Sequence, residues 1–185
     1  YYPSRYNALL NDEQRAFCHS IYQFKQGDIH GIEFFKTCMN ALQLKKRPYH
    51  IMFMPCSNWI KYGQRFKRLD WYIGKHRQDL TSGLYDVDIC DARESLHEAK
   101  GGEKRILERN YLITGNIKGK EIIIIDDVLT TGQSVADYKE EIERCGGKVV
   151  AAIFYGKTLS MPSMLLVQIH VWGNHIAHII ERMTK

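Results

Sequence analysis

Two periods of apolar and polar positions alternate along the chain. Between Asp12 and Lys25 the apolar residues Ala16, Phe17, Ile21, Tyr22 and Phe24 recur at near-helical spacing until Gln26-Gly27-Asp28 breaks the pattern, and a second helical stretch runs from Ile32 to Leu44. After Pro48 the run Ile51-Met52-Phe53-Met54 predicts a short buried strand, followed by the polar loop Pro55-Cys56-Ser57-Asn58. Lys61 to Asp79 returns to helical period and is basic, with Lys61, Arg65, Lys67, Arg68, Lys75 and Arg77 set against Asp70 and Asp79. The plain reading of such a run is a solvated face. Val87 to Cys90 suggests another strand. Asp91 to Arg109 is highly charged, contains Gly101-Gly102 and lacks an apolar stripe, which describes a surface segment.

The pattern sharpens after this segment. Glu121 is followed by four isoleucines, Ile122 to Ile125, and then by Asp126-Asp127-Val128-Leu129-Thr130-Thr131-Gly132-Gln133-Ser134. Val135, Tyr138, Ile142 and Cys145 mark one face of a helix closed by Gly146-Gly147, and Val149 to Tyr155 is a second buried strand. Strand, helix and strand in this order predict a βαβ unit with parallel pairing and a right-handed crossover. Leu165 to Trp172 suggests a further strand and Asn174 to Met183 a terminal helix.

A buried strand ending in two adjacent carboxylates, with hydroxyls and a glycine opening the next helix, is a specific construction. In an open α/β sheet, ligands bind beyond the carboxyl ends of the strands, where this turn lies. First-turn N–H groups from about Thr131 to Ser134 lack intrahelical partners, and the helix dipole favours an anion there. Thr130, Thr131 and Ser134 add hydroxyl donors, and Gly132 lets the backbone approach closely. Together they form a phosphate cradle. Two neighbouring carboxylates are poor partners for that same phosphate, but they suit the paired hydroxyls of a ribose, with a divalent cation nearby. A 5-phosphorylated ribose satisfies both halves. In isolation, the two aspartates would only solvate a strand end and Thr131 would only cap a helix.

Ile122 to Ser134 closely resembles the phosphoribosyl pyrophosphate (PRPP) motif of type I phosphoribosyltransferases. Further short stretches are similar to the ComF-like branch, which is related to the catalytic domain of amidophosphoribosyltransferase. Tyr22-Gln23-Phe24-Lys25 resembles its early helix with a lysine, Met54-Pro55 opens the loop after the first core strand, and Glu108-Arg109-Asn110 resembles its Arg-Asn pair before the motif strand. The resemblance implies an α/β fold with a doubly wound, mainly parallel sheet. It also implies a small hood, built from the chain ends or from Tyr85 to Gly119.

As the resemblance has it, Asp126 and Asp127 hold the ribose hydroxyls. Val128, Leu129, Thr130, Thr131, Gly132, Gln133 and Ser134 hold the 5-phosphate, and Cys56, Ser57 and Asn58 form the pyrophosphate loop. The implied cofactor is Mg²⁺, coordinated largely by PRPP, so that no direct protein ligand to the metal is expected. The implied reaction is displacement of pyrophosphate at the anomeric carbon by a small-molecule acceptor, commonly a nitrogen nucleophile. Lys100 and Arg105, with Lys104 between Gly102 and Arg105, are candidate cations for the leaving pyrophosphate, and Arg93 and Arg109 are further ones. Arg65 and Arg68 would flank the pyrophosphate loop if their helix began near Gly63. The alternatives are a non-catalytic PRPP-sensing module and a DNA-uptake accessory. The chain begins at Tyr1 without the nucleophilic Cys of a glutaminase domain, and it lacks the four-Cys zinc module of many ComF-like chains, which leaves the acceptor open.

Composition bounds the picture without deciding it. At 185 residues and 44% hydrophobic, the chain has the size and apolar content of one domain over residues 1–185. A net charge of +5 is compatible with phosphate ligands or nucleic acid and identifies neither. The five cysteines have no C-x-x-C pair and suggest reduced thiols, hence a cytoplasmic protein without a disulfide framework. No apolar stretch is long enough for a membrane span. His170, His175 and His178 read as packing residues rather than a metal site, and Cys56 as a small packing residue rather than a catalytic thiol. A homodimer is expected only by analogy with related enzymes.

Overall fold

The computed structural model describes residues 10–42, 48–90 and 109–158, together with Trp172. Two helices come first, α1 over Asp12–Lys25 and α2 over His30–Ala41. Asn11 caps α1 by accepting from the Gln14 N–H at 2.8 Å, and the Gln14 side chain accepts from the Asn11 N–H at 3.1 Å. Two of the orphan donors at the helix start are thereby satisfied. Strand β1 (Tyr49–Phe53), helix α3 (Trp59–His76) and strand β2 (Leu80–Ser82) follow. Next come β3 (Val87–Ile89), β4 (Tyr111–Ile113), β5 (Glu121–Leu129), helix α4 (Gln133–Arg144) and β6 (Lys148–Lys157).

The central sheet has the order β2-β1-β5-β6, and every pairing in it is parallel. All five residues of β1 are buried, as are Ile122 to Ile125 of β5, so neither strand has a solvent face. That is the burial expected when helices cover both sides of a parallel sheet. The core is built on these two strands together with Phe24, Phe35, Tyr62, Phe66, Ile73, Tyr138 and Ile142 from the helices. Full burial of each isoleucine contributes roughly 1.5–3 kcal/mol. A second, antiparallel sheet pairs β3 with β4 and forms a small ribbon inside the stretch expected to supply a hood.

Three features depart from the sequence reading. Strand β5 does not stop at Ile125; it carries Asp126 to Leu129 in continued register with β6, Asp126 opposite Phe154 and Leu129 opposite Lys157. The backbone hydrogen bonds to β6 hold the two aspartates on the strand itself, although their side chains break its apolar run. Helix α3 begins at Trp59, four residues before Gly63, because the Asn58 side chain accepts from the Lys61 N–H at 2.9 Å and starts the helix there. Strands β2 and β4, of three residues each, have no counterpart in the sequence reading. The strand expected at 165–172 and the helix at 174–183 lie, Trp172 apart, outside the described residues, as do His170, His175 and His178. Among the described residues, no helix is long and apolar enough to cross a membrane.

Candidate functional site

Sheet order determines where a ligand cleft can form. The chain leaves β1 towards β2 on one side and leaves β5 towards β6 on the other, so the winding direction reverses between β1 and β5. Loops after two such neighbouring parallel strands part from each other and leave a crevice at the carboxyl edge. The two strands stay in step up to that edge, with Phe53 opposite Ile125 and the Met54 N–H donating to the Ile125 carbonyl at 2.9 Å. The loop at 54–58 therefore starts beside Asp126. Each loop runs directly into a helix N-terminus, α3 on one side and α4 on the other, and both ends favour anions.

The turn after β5 leads into α4 through Gly132. Gly132 is the N-cap of α4 at φ 86°, a left-handed conformation that side chains other than glycine adopt at a cost, and no side chain caps the helix by hydrogen bonding. Thr131 Oγ1 is only 3.4 Å from the Gln133 nitrogen. Thr130, Thr131, Gln133 and Ser134 are exposed, while Val128, Leu129 and Gly132 are half-buried. An anion entering this turn would meet free hydroxyls and uncapped first-turn N–H groups.

Asp126 and Asp127 sit deeper. The Asp127 N–H donates to its neighbour's Asp126 Oδ1 at 2.7 Å, and the Val128 N–H donates to Asp127 Oδ1, also at 2.7 Å. Arg65 on α3 reaches both acids, its Nη1 lying 3.1 Å from Asp127 Oδ2 and 3.5 Å from Asp126 Oδ1. Lys25, at the end of α1, is 3.3 Å from the same Asp127 oxygen. That oxygen is buried and has no aligned hydrogen bond, so its two cations act on it as charges. Burial, reinforced by the Asp127 charge, pushes the Asp126 carboxyl up to about 7, against the opposing pull of the Asp127 N–H and Arg65. The two acids face two cations, and their carboxylate oxygens can accept from a ligand's hydroxyls in place of those cations.

The loop after β1 is partly committed to its own architecture. Cys56 is buried, and desolvation holds its thiol up at about 11, which removes it as a nucleophile at neutral pH. Its carbonyl accepts from Asn110 Nδ2 at 2.8 Å. The side-chain oxygen of Asn58 is taken by the α3 cap, and Ser57 Oγ is 3.3 Å from Lys61 Nζ. Arg65 lies close enough to this loop for its charge to act on the Cys56 thiol, but its hydrogen-bonding end is on the aspartates. With α3 starting at Trp59, Arg65 sits between that loop and the aspartates. Arg109, one of the candidate cations, donates to Glu141 at 2.6 Å. Lys100, Lys104, Arg105 and Arg93 lie outside the described residues.

One polar group has no precursor in the sequence reading. His50, 3% exposed on β1, places Nδ1 2.7 Å from Thr81 Oγ1 and Nε2 2.7 Å from Asp86 Oδ2. A lone histidine at the start of an apolar run gave no signal, because its partners lie 31 and 36 residues away. Among the described residues, no three His, Cys, Asp or Glu side chains group as metal ligands.

Residues 78–159 match the family described as "Phosphoribosyl transferase domain". An orotate phosphoribosyltransferase of Sulfolobus acidocaldarius is 42% identical over 57 residues, which are 30% of this chain and 26% of that protein. The transcriptional regulator GfcR of Methanocella arvoryzae is 30% identical over 98 residues, 53% of this chain and 38% of its own length. GfcR 1 of Methanosarcina barkeri is 30% identical over 63 residues, covering 34% and 29%. The chain thus spans between 26% and 38% of the length of these curated relatives. The family match begins after α3 and takes in β2 to β6. The loop after β1, Lys25 and Arg65 lie outside it.

Proposed function

We propose that this chain binds PRPP across the carboxyl edge of β1 and β5 and transfers its phosphoribosyl group to a nucleophile, releasing pyrophosphate. The observation that supports this most is the pairing, on one strand and its turn, of two acceptor carboxylates with a glycine-capped helix start that no side chain closes. The 5-phosphate would take the N–H groups and hydroxyls of Val128 to Ser134, and the ribose diol the carboxylates of Asp126 and Asp127. The pyrophosphate would take the loop Cys56 to Asn58. Lys100 and Arg105 belong to the proposal as cations for the departing group.

The donor set fits a magnesium ion brought in on the ligand's own phosphates, since Asp126 and Asp127 already face Lys25 and Arg65. When bound, such an ion supplies charge neutralisation on the pyrophosphate. The chain's own contribution is positioning. The carboxylates fix the sugar ring, the turn after β5 fixes its 5-phosphate, and the buried strands beneath keep both rigid. The anomeric carbon loses its bond to pyrophosphate as the acceptor's lone pair forms the new one. Fixed dipoles aimed at the pyrophosphate as its charge grows lower that barrier selectively.

The names of two relatives as transcriptional regulators favour a second reading, a PRPP-sensing domain without turnover. Support for the ComF-like branch is that Lys25 meets Asp127 and Asn110 meets the loop after β1. A role in DNA uptake would follow from that branch. Pyrophosphate release from PRPP with Mg²⁺, with ammonia and each nucleobase in turn as acceptor, separates these readings. Turnover lost in Asp126→Asn and Asp127→Asn supports the transferase. Tight PRPP binding without turnover supports the sensor. Nucleic-acid binding that collapses with salt and ignores PRPP supports the DNA-uptake role against the other two.

A further inference from the structure

We infer that Asn110 is a positioning residue that orients the loop after β1 for pyrophosphate; this rests on the assignment of residues 56–58 proposed above. Asn110 lies at the junction of three elements. Its backbone carbonyl accepts from the Cys90 N–H at 2.9 Å, closing the end of the β3–β4 ribbon. Its side-chain amide donates to the Cys56 carbonyl at 2.8 Å. The neighbouring Arg109 donates to Glu141 of α4 at 2.6 Å, and Glu141, 9% exposed, is held in turn by Arg144. The segment entering β4 is therefore clamped to the helix of the 5-phosphate turn, and from that clamp it grips the backbone of the opposite loop.

The grip has a directional consequence. The chain has no cis peptide among its described residues, and across a planar trans peptide the C=O and N–H point in opposite directions. Drawing the Cys56 carbonyl to Asn110 thus turns the Ser57 N–H away from Asn110. That N–H has no hydrogen-bond partner among the described residues. The thiol of Cys56 is buried, so the Ser57 amide, beside its hydroxyl, is the donor that the Asn110 contact aims. A fixed backbone donor of this kind contributes without reorganising when the ligand arrives. Asn110 would thus act on pyrophosphate through Cys56 and touch no ligand itself.

The test is a pair of calorimetric titrations on the full chain, one with inorganic pyrophosphate and Mg²⁺ and one with ribose 5-phosphate, on wild type, Asn110→Ala and Asn110→Asp. Asn110→Asp keeps the shape and replaces the donor by an acceptor facing the Cys56 carbonyl. The expected result is pyrophosphate affinity about tenfold weaker in both variants, the loss of roughly one hydrogen bond, with ribose 5-phosphate affinity unchanged. Unchanged pyrophosphate affinity, or an equal fall for both ligands, overturns the inference while leaving the PRPP site intact. A wild type that binds ribose 5-phosphate but no pyrophosphate removes the loop assignment and the inference with it, and one that binds neither removes the site as well. Should the variants fail to fold, the wild type still decides by nuclear magnetic resonance. Its Ser57 amide proton should shift downfield on addition of pyrophosphate and stay in place on addition of ribose 5-phosphate, and a Ser57 amide indifferent to pyrophosphate overturns the inference.

Discussion

Arg65 and Asp127, on α3 and β5, meet 3.1 Å apart across the start of the cleft, with only 17% and 9% of their side chains exposed. Removing one partner of such a pair leaves the other charge buried. Arg65→Met should therefore lower the unfolding free energy at neutral pH by about 3 kcal/mol, on the scale of a broken buried pair. Chemical denaturation of both proteins measures it, and a loss under about 0.5 kcal/mol would mean that Lys25 and solvent suffice for the two acids.

Acid titration should expose the same cluster through Asp126. Its carboxyl is raised to about 7 in the folded chain against an ordinary value of 3.8. Between those values the folded state holds a proton that the unfolded state has released, so this group's contribution to stability falls as pH rises from about 4 to about 7. Asp126→Asn removes that slope. The variant should gain on wild type across this window and run parallel to it above about pH 8. Denaturation midpoints measured every half unit of pH check this, and parallel curves throughout would contradict it.

His50 titrates in the opposite sense. Burial, with Lys120 nearby, holds its imidazole below the ordinary 6.5, against the upward pull of Asp86. The unfolded chain then takes up a proton that the folded chain refuses, and stability from this site is lost as pH falls below about 6.5. His50→Ala should also cost about 2–4 kcal/mol at pH 7.5, from the lost hydrogen bonds to Thr81 and Asp86 and the cavity left on β1. Thermal denaturation of wild type and variant at pH 7.5 and at about pH 5 tests the two effects together: the deficit of the variant should shrink at the lower pH, and a constant deficit would contradict the titration.

At the turn after β5, conformation and binding separate. A Cβ on Gly132 would approach nothing closer than Leu129 Cδ1 at 3.9 Å, so Gly132→Ala is penalised by its φ alone, by about 1–2 kcal/mol of stability. Thr131→Val should leave stability unchanged and weaken ribose 5-phosphate binding by about 1–3 kcal/mol, the scale of a hydrogen bond to a charged group. A loss of only a few tenths in the titration would remove the Thr131 hydroxyl from the phosphate contacts.

What could be read beforehand followed from local pattern. The isoleucine run and the apolar face Val135, Tyr138, Ile142 and Cys145 implied β5, α4 and β6 with parallel pairing, and these pair as expected. The strands β2 and β4 are too short for any period to show, and only their partners β1 and β3 define them. Arg65 was legible as a cation near the cleft but not as a partner of the aspartates, because its direction depends on where Asn58 starts α3. The partners of His50 and Asn110 are distant in sequence and carry no motif. A turn announces its chemistry through neighbouring residues, whereas a contact between loops depends on the closed fold.

The central claim is that PRPP lies across the ends of β1 and β5, and a crystal structure with PRPP and Mg²⁺ tests it most directly. The account predicts the 5-phosphate on the N–H groups at the start of α4, the ribose hydroxyls on Asp126 and Asp127, and the pyrophosphate beside Ser57. Electron density for the ligand elsewhere, or a ligand with its phosphate against the aspartates, would contradict it.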